Sequence, residues 1–402
     1  MPEPETGNRK KRVFRHRGRT SQIPIYLGKQ LRFFINESDW KVLPMAAVIS
    51  GLVSMVIRNR IFQNMEGTLM SAFALTCVAI WNGCFNSIQS VCRERPIIKR
   101  EHRSGMHISS YVAAHMIYQF LLCLMQTGVS MYVMRLVGVP FPEKGFMTNW
   151  MIVDLGITMF LIAYASDMMS LLISSVSRTT TSAMTIMPFI LIFQLVFSGG
   201  IIPLPAWSRP LSNFTISNYG IRAIAAQSGY NELPMATAWN TLAGMRNSEI
   251  EETVTVERLL EILDSDPVAK HRDEVVIPSV TAGEAAQYLH ADLGGVVDEN
   301  EPLNEPITLG EFLDFARESE AVQQNRDGEI TLKTTVGEIL DLFGEENVKE
   351  VVQKKTAEAA YKPEYDRTVE NIVKNWLMLC AFILLFAMLS TIVLELIDKD
   401  KR

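Results

Sequence analysis

The chain has 402 residues, of which 48% are hydrophobic, and its mean hydropathy of +0.13 suits a membrane protein with a sizeable soluble part. The net charge of −6 is unevenly spread, because residues 231–368 carry 12 basic against 30 acidic side chains. The sequence contains no GxxxxGK[ST] phosphate loop and no zinc-ligand spacing, which argues against an ATPase or a metal site on this chain.

The N-terminal residues are predicted to form two cytoplasmic segments. Residues 1–20 form a basic tail with seven Lys or Arg side chains, which suits anionic lipid headgroups better than nucleic acid. Residues 21–39 repeat apolar side chains at helical spacing, as in Ile23, Leu27 and Leu31. This pattern predicts an amphipathic connecting helix in the membrane interface, and an ordinary packed helix is the alternative.

Six apolar stretches are predicted to cross the membrane, since a helical span takes about 20 apolar residues. Their predicted limits are Lys41–Ile57, Gly67–Cys92, Met106–Leu136, Trp150–Val176, Thr179–Ser198 and Asn371–Ile397. Residues 40–230 would hold the first five spans, and residues 369–402 would hold the sixth with a short tail. The positive-inside rule applied to the loops places both termini in the cytoplasm.

A charged elbow joins the second and third predicted spans. Residues 93–104 contain seven charged side chains, directly after an apolar stretch that has none. The positive-inside rule puts this elbow in the cytoplasm. It could simply anchor the helical hairpin, or it could be a lever on which a cytoplasmic partner presses.

The stretch after the fifth predicted span, residues 199–227, is apolar and aromatic. Gly199, Gly200 and three prolines interrupt it, so it cannot form one straight helix. Irregular backbone at membrane depth must be buried in protein or line a cavity, and we therefore predict a re-entrant helical hairpin. A loop on the outer surface is the alternative.

The acidic segment, residues 231–368, is predicted to be a mostly helical soluble domain outside the cell. A phrase recurs in it as VTAGEAAQYL, ITLGEFLDFA and TTVGEILDLF, with Thr281, Thr308 and Thr335 spaced 27 residues apart. A Glu follows each Thr after three residues, which is the signature of a helix capping box. Duplication and chance recurrence of a common helix start explain this pattern equally well.

One ionisable residue, Asp167, lies deep in the fourth predicted span. Ionisable groups inside a membrane are costly and are functional candidates for that reason. Asp167 is therefore a candidate polar site for substrate passage or coupling, and a hydrogen bond between helices is the alternative.

The elbow and the stretch after the fifth span resemble type 2 ABC exporter permeases, in particular their G subfamily. The resemblance rests on the run from Asn82 to Phe85, on RERPIIKRE from Arg93, and on FSGGIIPLPAW and ISNYGIRAI from Phe197 and Ile216. It implies a mainly α, polytopic membrane fold. The order would be a connecting helix, five spans, a re-entrant hairpin, an external domain and a sixth span.

The resemblance also implies roles for individual residues. Two permease copies would pair around a substrate cavity lined by Asn82, Phe85, Ile192 and Leu195. An apolar plug at its outer end would include Gly200 and Ile201. The elbow would dock on a separate nucleotide-binding subunit through Glu94, Arg95, Arg100 and Glu101. ATP and Mg would bind to that partner, and this chain would hold no cofactor.

These features together predict the permease subunit of an ATP-binding cassette exporter, as a homodimer or heterodimer. It would move an amphipathic or lipid-like substrate outward through a bacterial cytoplasmic membrane by alternating access. The acidic domain could bind an envelope protein. The alternatives are an ion-coupled secondary transporter, or a membrane sensor or scaffold that acts through the acidic domain.

Overall fold

The computed structural model describes residues 18–36, 39–200, 202, 204–263, 265, 270–281, 284, 300, 302–324 and 326–396. Over these residues the chain is mainly helical, and it divides into two compact units. Unit 1 comprises the chain up to Pro234 together with the chain from Ala360 onward, and unit 2 is Met235–Ala359. Most of the predicted basic tail, and the residues after 396, lie outside the described part.

Unit 1 is built from ten helices in the described ranges. In chain order they are α1 Arg19–Asn36, α2 Val42–Ile57, α3 Met65–Ser87, α4 Ser90–Arg103, α5 Ile108–Val137, α6 Met151–Val176, α7 Thr180–Val196, α8 Arg209–Ser212, α9 Ile216–Gln227 and, after unit 2, α16 Val369–Glu395. Short 3-10 turns lie at Asp39–Lys41, Tyr230–Glu232 and Pro363–Tyr365.

Four helical stretches of the described chain are long and apolar enough to cross a membrane. They are Met65–Arg103, Ile108–Val137, Met151–Val176 and Val369–Glu395. Helices α2 and α7 are also apolar but have only 16 and 17 residues. A helix of that length rises about 25 Å, less than the roughly 30 Å of a bilayer core. Unit 1 is thus a multi-pass membrane unit, and the number of six spans stays a prediction.

The predicted limits of the second span and the elbow need correction. Helix α3 ends at Ser87, inside the predicted span Gly67–Cys92, and a turn at residues 88–89 separates it from α4. The elbow is therefore a helix of 14 residues that begins at Ser90 rather than at residue 93. Hydropathy could not find this boundary, because the residues on both sides of the turn are uncharged.

Small residues bring the central helices of unit 1 close together. A Cβ atom on Gly83 of α3 would collide with the carbonyl oxygen of Ala163 and with Ser166 on α6. A Cβ atom on Gly220 of α9 would lie only 2.8 Å from Ile162 Cδ1. Such close approach of backbones is the usual way in which membrane helices gain van der Waals contact. Almost every residue of α9 is buried, so this part of the predicted hairpin region is packed inside unit 1.

Unit 2 is helical but also contains short strands, which the sequence did not predict. Its elements are α10 Thr237–Gly244, β1 Glu249–Thr255, α11 Val256–Leu263, β2 Val275–Ile277, β3 Ile307–Thr308, α12 Leu309–Glu318, α13 Glu320–Gln324, β4 Glu329–Thr335, α14 Val336–Phe343 and α15 Glu345–Ala359. The strands form two antiparallel pairs, β1 with β4 and β2 with β3. The β-branched residues of EIEETVT and EITLKTT explain the longer pair.

The β1–β4 pair has an approximate twofold symmetry. Each strand runs directly into a helix, α11 or α14, and the register places Glu249 opposite Thr335. The Val256 N–H donates to the Gly328 carbonyl at 3.0 Å, and the Val336 N–H donates to the Ser248 carbonyl at 3.1 Å. The second donor, Val336, lies 80 residues after the first, and the two acceptors, Ser248 and Gly328, are also 80 residues apart. The two strand–helix segments are therefore equivalent halves of the pair.

The pair of β2 and β3, which lies between β1 and β4 in the sequence, repeats part of the hydrogen bonding of the β1–β4 pair. The Gly310 N–H donates to the Arg272 carbonyl at 2.9 Å, as the Gly337 N–H does to the Arg246 carbonyl at 2.8 Å. The capping boxes on Thr308 and Thr335 are formed, and Thr281 and Glu284 of the first predicted copy make the same two reciprocal hydrogen bonds. Equivalent contacts in equivalent positions favour duplication over chance recurrence. Most of the first predicted copy, which begins at Val280, lies outside the described residues.

Candidate functional site

The elbow helix α4 begins against the end of α6. The first N–H groups of a helix have no partner within it. Here the N–H groups of Val91 and Cys92 both donate to the hydroxyl of Ser174, each at 3.1 Å. A side chain from a neighbouring helix thus caps α4, and this contact explains why α4 starts anew after the turn that follows α3.

Arg95 of α4 makes the reciprocal contact with the end of α6. Its Nη1 atom donates to the carbonyl oxygens of Ser175 at 2.9 Å and Ser177 at 3.1 Å. These carbonyls lie in the last turn and at the C-cap of α6, where a cation is favoured by the helix dipole. The beginning of α4 and the end of α6 are therefore tied to each other by two sets of hydrogen bonds.

The connecting helix α1 holds the elbow from another side. Lys29 forms an ion pair of 3.0 Å with Glu94 and a longer one of 3.8 Å with Glu101. The Glu94 side chain is only 6% exposed, so its buried charge needs a close cation, and Lys29 provides one. Burial and the nearby Glu101 carboxylate raise the pKa of Tyr26, on the same helix.

The turn after the elbow is also bound to α1. The Gln22 side chain donates to the Gly105 carbonyl at 3.2 Å and accepts from the His107 N–H at 2.9 Å. Further along α5, the His115 ring lies 2.9 Å from the Gln30 amide nitrogen. Helices α1, α4 and the start of α5 therefore form one connected structure.

One face of α4 remains exposed. Glu94 and Ile98 lie on the buried face, together with the capped residues of its first turn. Arg103, the last residue of α4, is exposed, and the other exposed side chains recur at helical spacing, at Arg93, Pro96, Ile97 and Arg100. We call these four residues the elbow face. It combines two guanidinium groups with apolar surface, which suits contact with a partner protein better than lipid.

The residues predicted for coupling thus divide into two groups. Arg100 belongs to the elbow face, whereas Glu94 and Arg95 bind neighbouring helices of their own chain. Glu101 is intermediate, since one oxygen lies near Lys29 and the other is buried without a hydrogen-bond partner among the described residues. No local pattern singled out Lys29 or Ser174, because these residues contact α4 across 65 and 83 positions of sequence.

Asp167 lies in a fully buried polar cluster between α3, α5 and α6. The Ser87 hydroxyl donates to one carboxylate oxygen, and the Cys123 thiol approaches the other at 3.5 Å. The amide of Gln119 in turn donates to Ser87 at 2.8 Å. This arrangement fits the alternative stated above, an Asp167 that joins helices by hydrogen bonds.

The residues predicted to line a cavity have different surroundings. Asn82 is buried, whereas Phe85 on α3 and Ile192 on α7 are 44% and 58% exposed on the single chain. Leu195 is half-buried. Phe85 also lines a cavity of about 220 Å³ beside Glu94, between α1, α5 and the α3–α4 turn.

Of the two residues predicted to form the outer plug, Gly200 and Ile201, the structure describes only Gly200. Gly200 is buried, and a Cβ atom there would lie 2.9 Å from Ile221 Cδ1 on α9. Ile201 lies outside the described residues. Gly200 therefore allows the chain after α7 to pack on α9.

The fold and the elbow define a polytopic, mainly helical membrane protein with a charged helix exposed at one end. Residues 34–227 match the family model described as ABC-2 type transporter. This part of the chain is therefore similar to ABC-2 type transporter membrane domains, and the predicted resemblance to type 2 ABC permeases is confirmed.

A named relative agrees with this family. It is an ABC transporter ATP-binding/permease protein of Mycobacterium tuberculosis, 26% identical over 222 residues. The match covers 51% of this chain and 25% of that protein, so the chain spans a small part of its relative.

Proposed function

We propose that this chain is the permease subunit of an ATP-binding cassette exporter that moves an amphipathic or lipid-like substrate outward. ATP and Mg would bind to a partner nucleotide-binding subunit. The observation that supports this most is the elbow helix, which exposes one face while its other face is bound to α1 and α6. A helix built in this way can receive force from outside and pass it to the membrane helices.

The contacts define how a movement of the elbow would be transmitted. A push on the elbow face would act on α1 through the Lys29–Glu94 ion pair. It would act on α6 through Ser174 and Arg95. The second oxygen of Glu101 has no partner among the described residues and could find one in the other state. Two arrangements of one interface, biased by a partner, are what alternating access requires.

The substrate cavity would form between two copies of the chain. Phe85 and Ile192 are large apolar side chains that a single chain leaves exposed, which a second permease copy would cover. An apolar cavity with few polar groups suits an amphipathic substrate. The cavity would also include Asn82 and Leu195, as the resemblance implies.

The orientation follows from charge. With the basic elbow in the cytoplasm, unit 2 and its excess of acidic residues would lie on the outer side of the cell membrane. Both termini would then be cytoplasmic, and a bacterial cytoplasmic membrane is the proposed location. Unit 2 would be available there to an envelope protein.

The proposal is tested by transport in proteoliposomes that contain the complex isolated from its native host. A fluorescent amphipathic probe should move only with ATP and Mg, and vanadate should stop it. Transport that follows an ion gradient and ignores vanadate would contradict the proposal and favour a secondary transporter.

A further inference from the structure

Two cavities lie on the face where α5 and α6 meet, away from the α3 and α7 residues assigned to the substrate path. The first, about 650 Å³, lies at the end of α5 and the start of α6 and is lined by Arg135, Glu143 and Trp150 among others. The second, about 340 Å³, lies deeper between the same helices, around Gly128 and Gly156.

The two cavities follow each other along the helix pair, and we call them together the α5–α6 groove. On α5 the lining passes from Arg135 to Met131, one turn apart, and then to Leu124. A helix rises about 16 Å over that distance, which is half of a bilayer core of roughly 30 Å. The groove thus has the length of the acyl region of one leaflet.

The chemistry of the groove changes along its length. The deep part is lined almost wholly by apolar atoms, and its floor is open because nothing lies within 4 Å of a Cβ atom built on Gly128. The outer part carries a guanidinium group, a carboxylate and an indole that is 67% exposed, on Arg135, Glu143 and Trp150. An exposed Trp at the end of a membrane-spanning helix is typical of the membrane interface.

The two charged side chains of the outer part are open to a ligand. Neither Arg135 nor Glu143 makes a side-chain hydrogen bond or ion pair with another described residue. A guanidinium group is well suited to a phosphate, and a carboxylate accepts hydrogen bonds from a primary ammonium group. One headgroup that carries both partners is phosphoethanolamine.

We propose that the α5–α6 groove binds a diacyl phospholipid with an ethanolamine headgroup. One acyl chain lies between Gly128 and Gly156, the phosphate binds Arg135, and the ammonium group binds Glu143. This inference does not depend on the proposed transport function, since the groove uses other helices and its lipid need not be moved.

The test is native mass spectrometry of the purified, delipidated full chain with added 1-palmitoyl-2-oleoyl lipids. Phosphatidylethanolamine should bind about tenfold tighter than phosphatidylcholine or phosphatidylglycerol, because only its headgroup offers both partners. Arg135→Gln should weaken all three lipids, and Glu143→Gln should remove the preference for ethanolamine. Arg32→Gln, which removes an exposed Arg on α1, should change nothing.

A second variant tests the acyl-chain part. Gly128→Leu should abolish retention of every lipid, because the new side chain fills open space in the groove. Thermal unfolding without lipid checks that the Gly128→Leu variant is folded. If it is not folded, the lipid binding of the Arg135→Gln and Glu143→Gln variants tests the proposal. Equal binding of the three headgroups, tighter binding of phosphatidylglycerol, or unchanged binding by the Gly128→Leu or Glu143→Gln variant would overturn the proposal.

Discussion

The guanidinium group of Arg95 donates to the carbonyl oxygen of Ser175 at 2.9 Å, and so joins the elbow helix to the last turn of α6. The contact with a partner subunit predicted for Arg95 stays a prediction, and within its own chain Arg95 binds α6. It is a positioning residue for the elbow, and the residues that a partner can reach lie on the other face of α4. This division separates substitutions that affect docking from those that affect transmission.

Substitution of Arg95 is expected to uncouple transport from ATP hydrolysis by the partner. Arg95→Ala should leave the partner ATPase bound, since the elbow face is intact, but should lower transport per ATP hydrolysed several-fold because α6 no longer follows α4. Arg95→Lys should restore part of the coupling, as it keeps one donor. Transport and ATPase rates measured on the same proteoliposomes give this ratio. Loss of the partner from the Arg95→Ala complex would contradict the assignment.

The Lys29–Glu94 ion pair is expected to stabilise the contact between α1 and α4. Breaking a buried pair costs about 3–5 kcal/mol, and the 23% exposure of Lys29 lowers this to roughly 1–3 kcal/mol. Glu94→Gln and Lys29→Met should each destabilise the protein, and the double variant should lose much less than their sum. Additive losses in thermal unfolding would show that the pair is not coupled.

Asp167 is expected to act by hydrogen bonding rather than by carrying a charge. Asp167→Asn keeps an acceptor for Ser87 and should retain ATP-dependent transport. Asp167→Leu leaves the buried Ser87 hydroxyl without this acceptor and should cost about 1–3 kcal/mol of stability. A folded Asp167→Asn protein that has lost transport would show instead that the ionisable group is needed, as a secondary transporter requires.

The capping boxes of unit 2 predict a dependence of stability on pH. Hydrogen bonds from the Thr335 backbone and from Thr334 lower the pKa of Glu338, and Thr308 lowers that of Glu311 in the same way. A carboxylate whose pKa is lower in the folded chain stabilises the fold when the pH is above its unfolded pKa of about 4.3. This contribution is lost as the pH falls through the pKa of the folded chain.

Hydrogen exchange of the α14 amides measures this contribution in the full chain. The wild type should be more protected than the Glu338→Gln variant at neutral pH, and the difference should vanish at a pH below the folded pKa. Glu358→Gln, on α15 and outside both capping boxes, is the matched control. A difference between wild type and Glu338→Gln that persists in acid would rule out the carboxylate as its source.

Sequence patterns predicted the helices and the caps because both depend on local spacing. The Thr-x-x-Glu motif predicted the capping boxes at Thr308 and Thr335, which are formed, and the reciprocal hydrogen bonds between Thr281 and Glu284. The strands before them were missed, since seven-residue strands with mostly exposed side chains lack an alternating apolar pattern. The pairing of β1 with β4 joins residues 74 to 86 positions apart, which no local pattern can show.

The elbow is another region in which local sequence patterns could not show the contacts between distant residues. Its charge and its place between two spans were visible in the sequence. The sequence could not distinguish Arg95, which binds α6, from Arg100, which is exposed, because both belong to one basic run. Ser174 stands among several serines at the end of α6, and only the fold shows which hydroxyl caps α4.

A nucleotide-binding partner is expected to dock on the elbow face. A photo-crosslinking amino acid placed at Ile97, which is 37% exposed on α4, tests it in the native host. Leu136, 67% exposed near the end of α5, is the control position. Position 97 should capture a P-loop ATPase in high yield, and position 136 should not. Capture of no ATPase at position 97, with the chain correctly inserted, would contradict it.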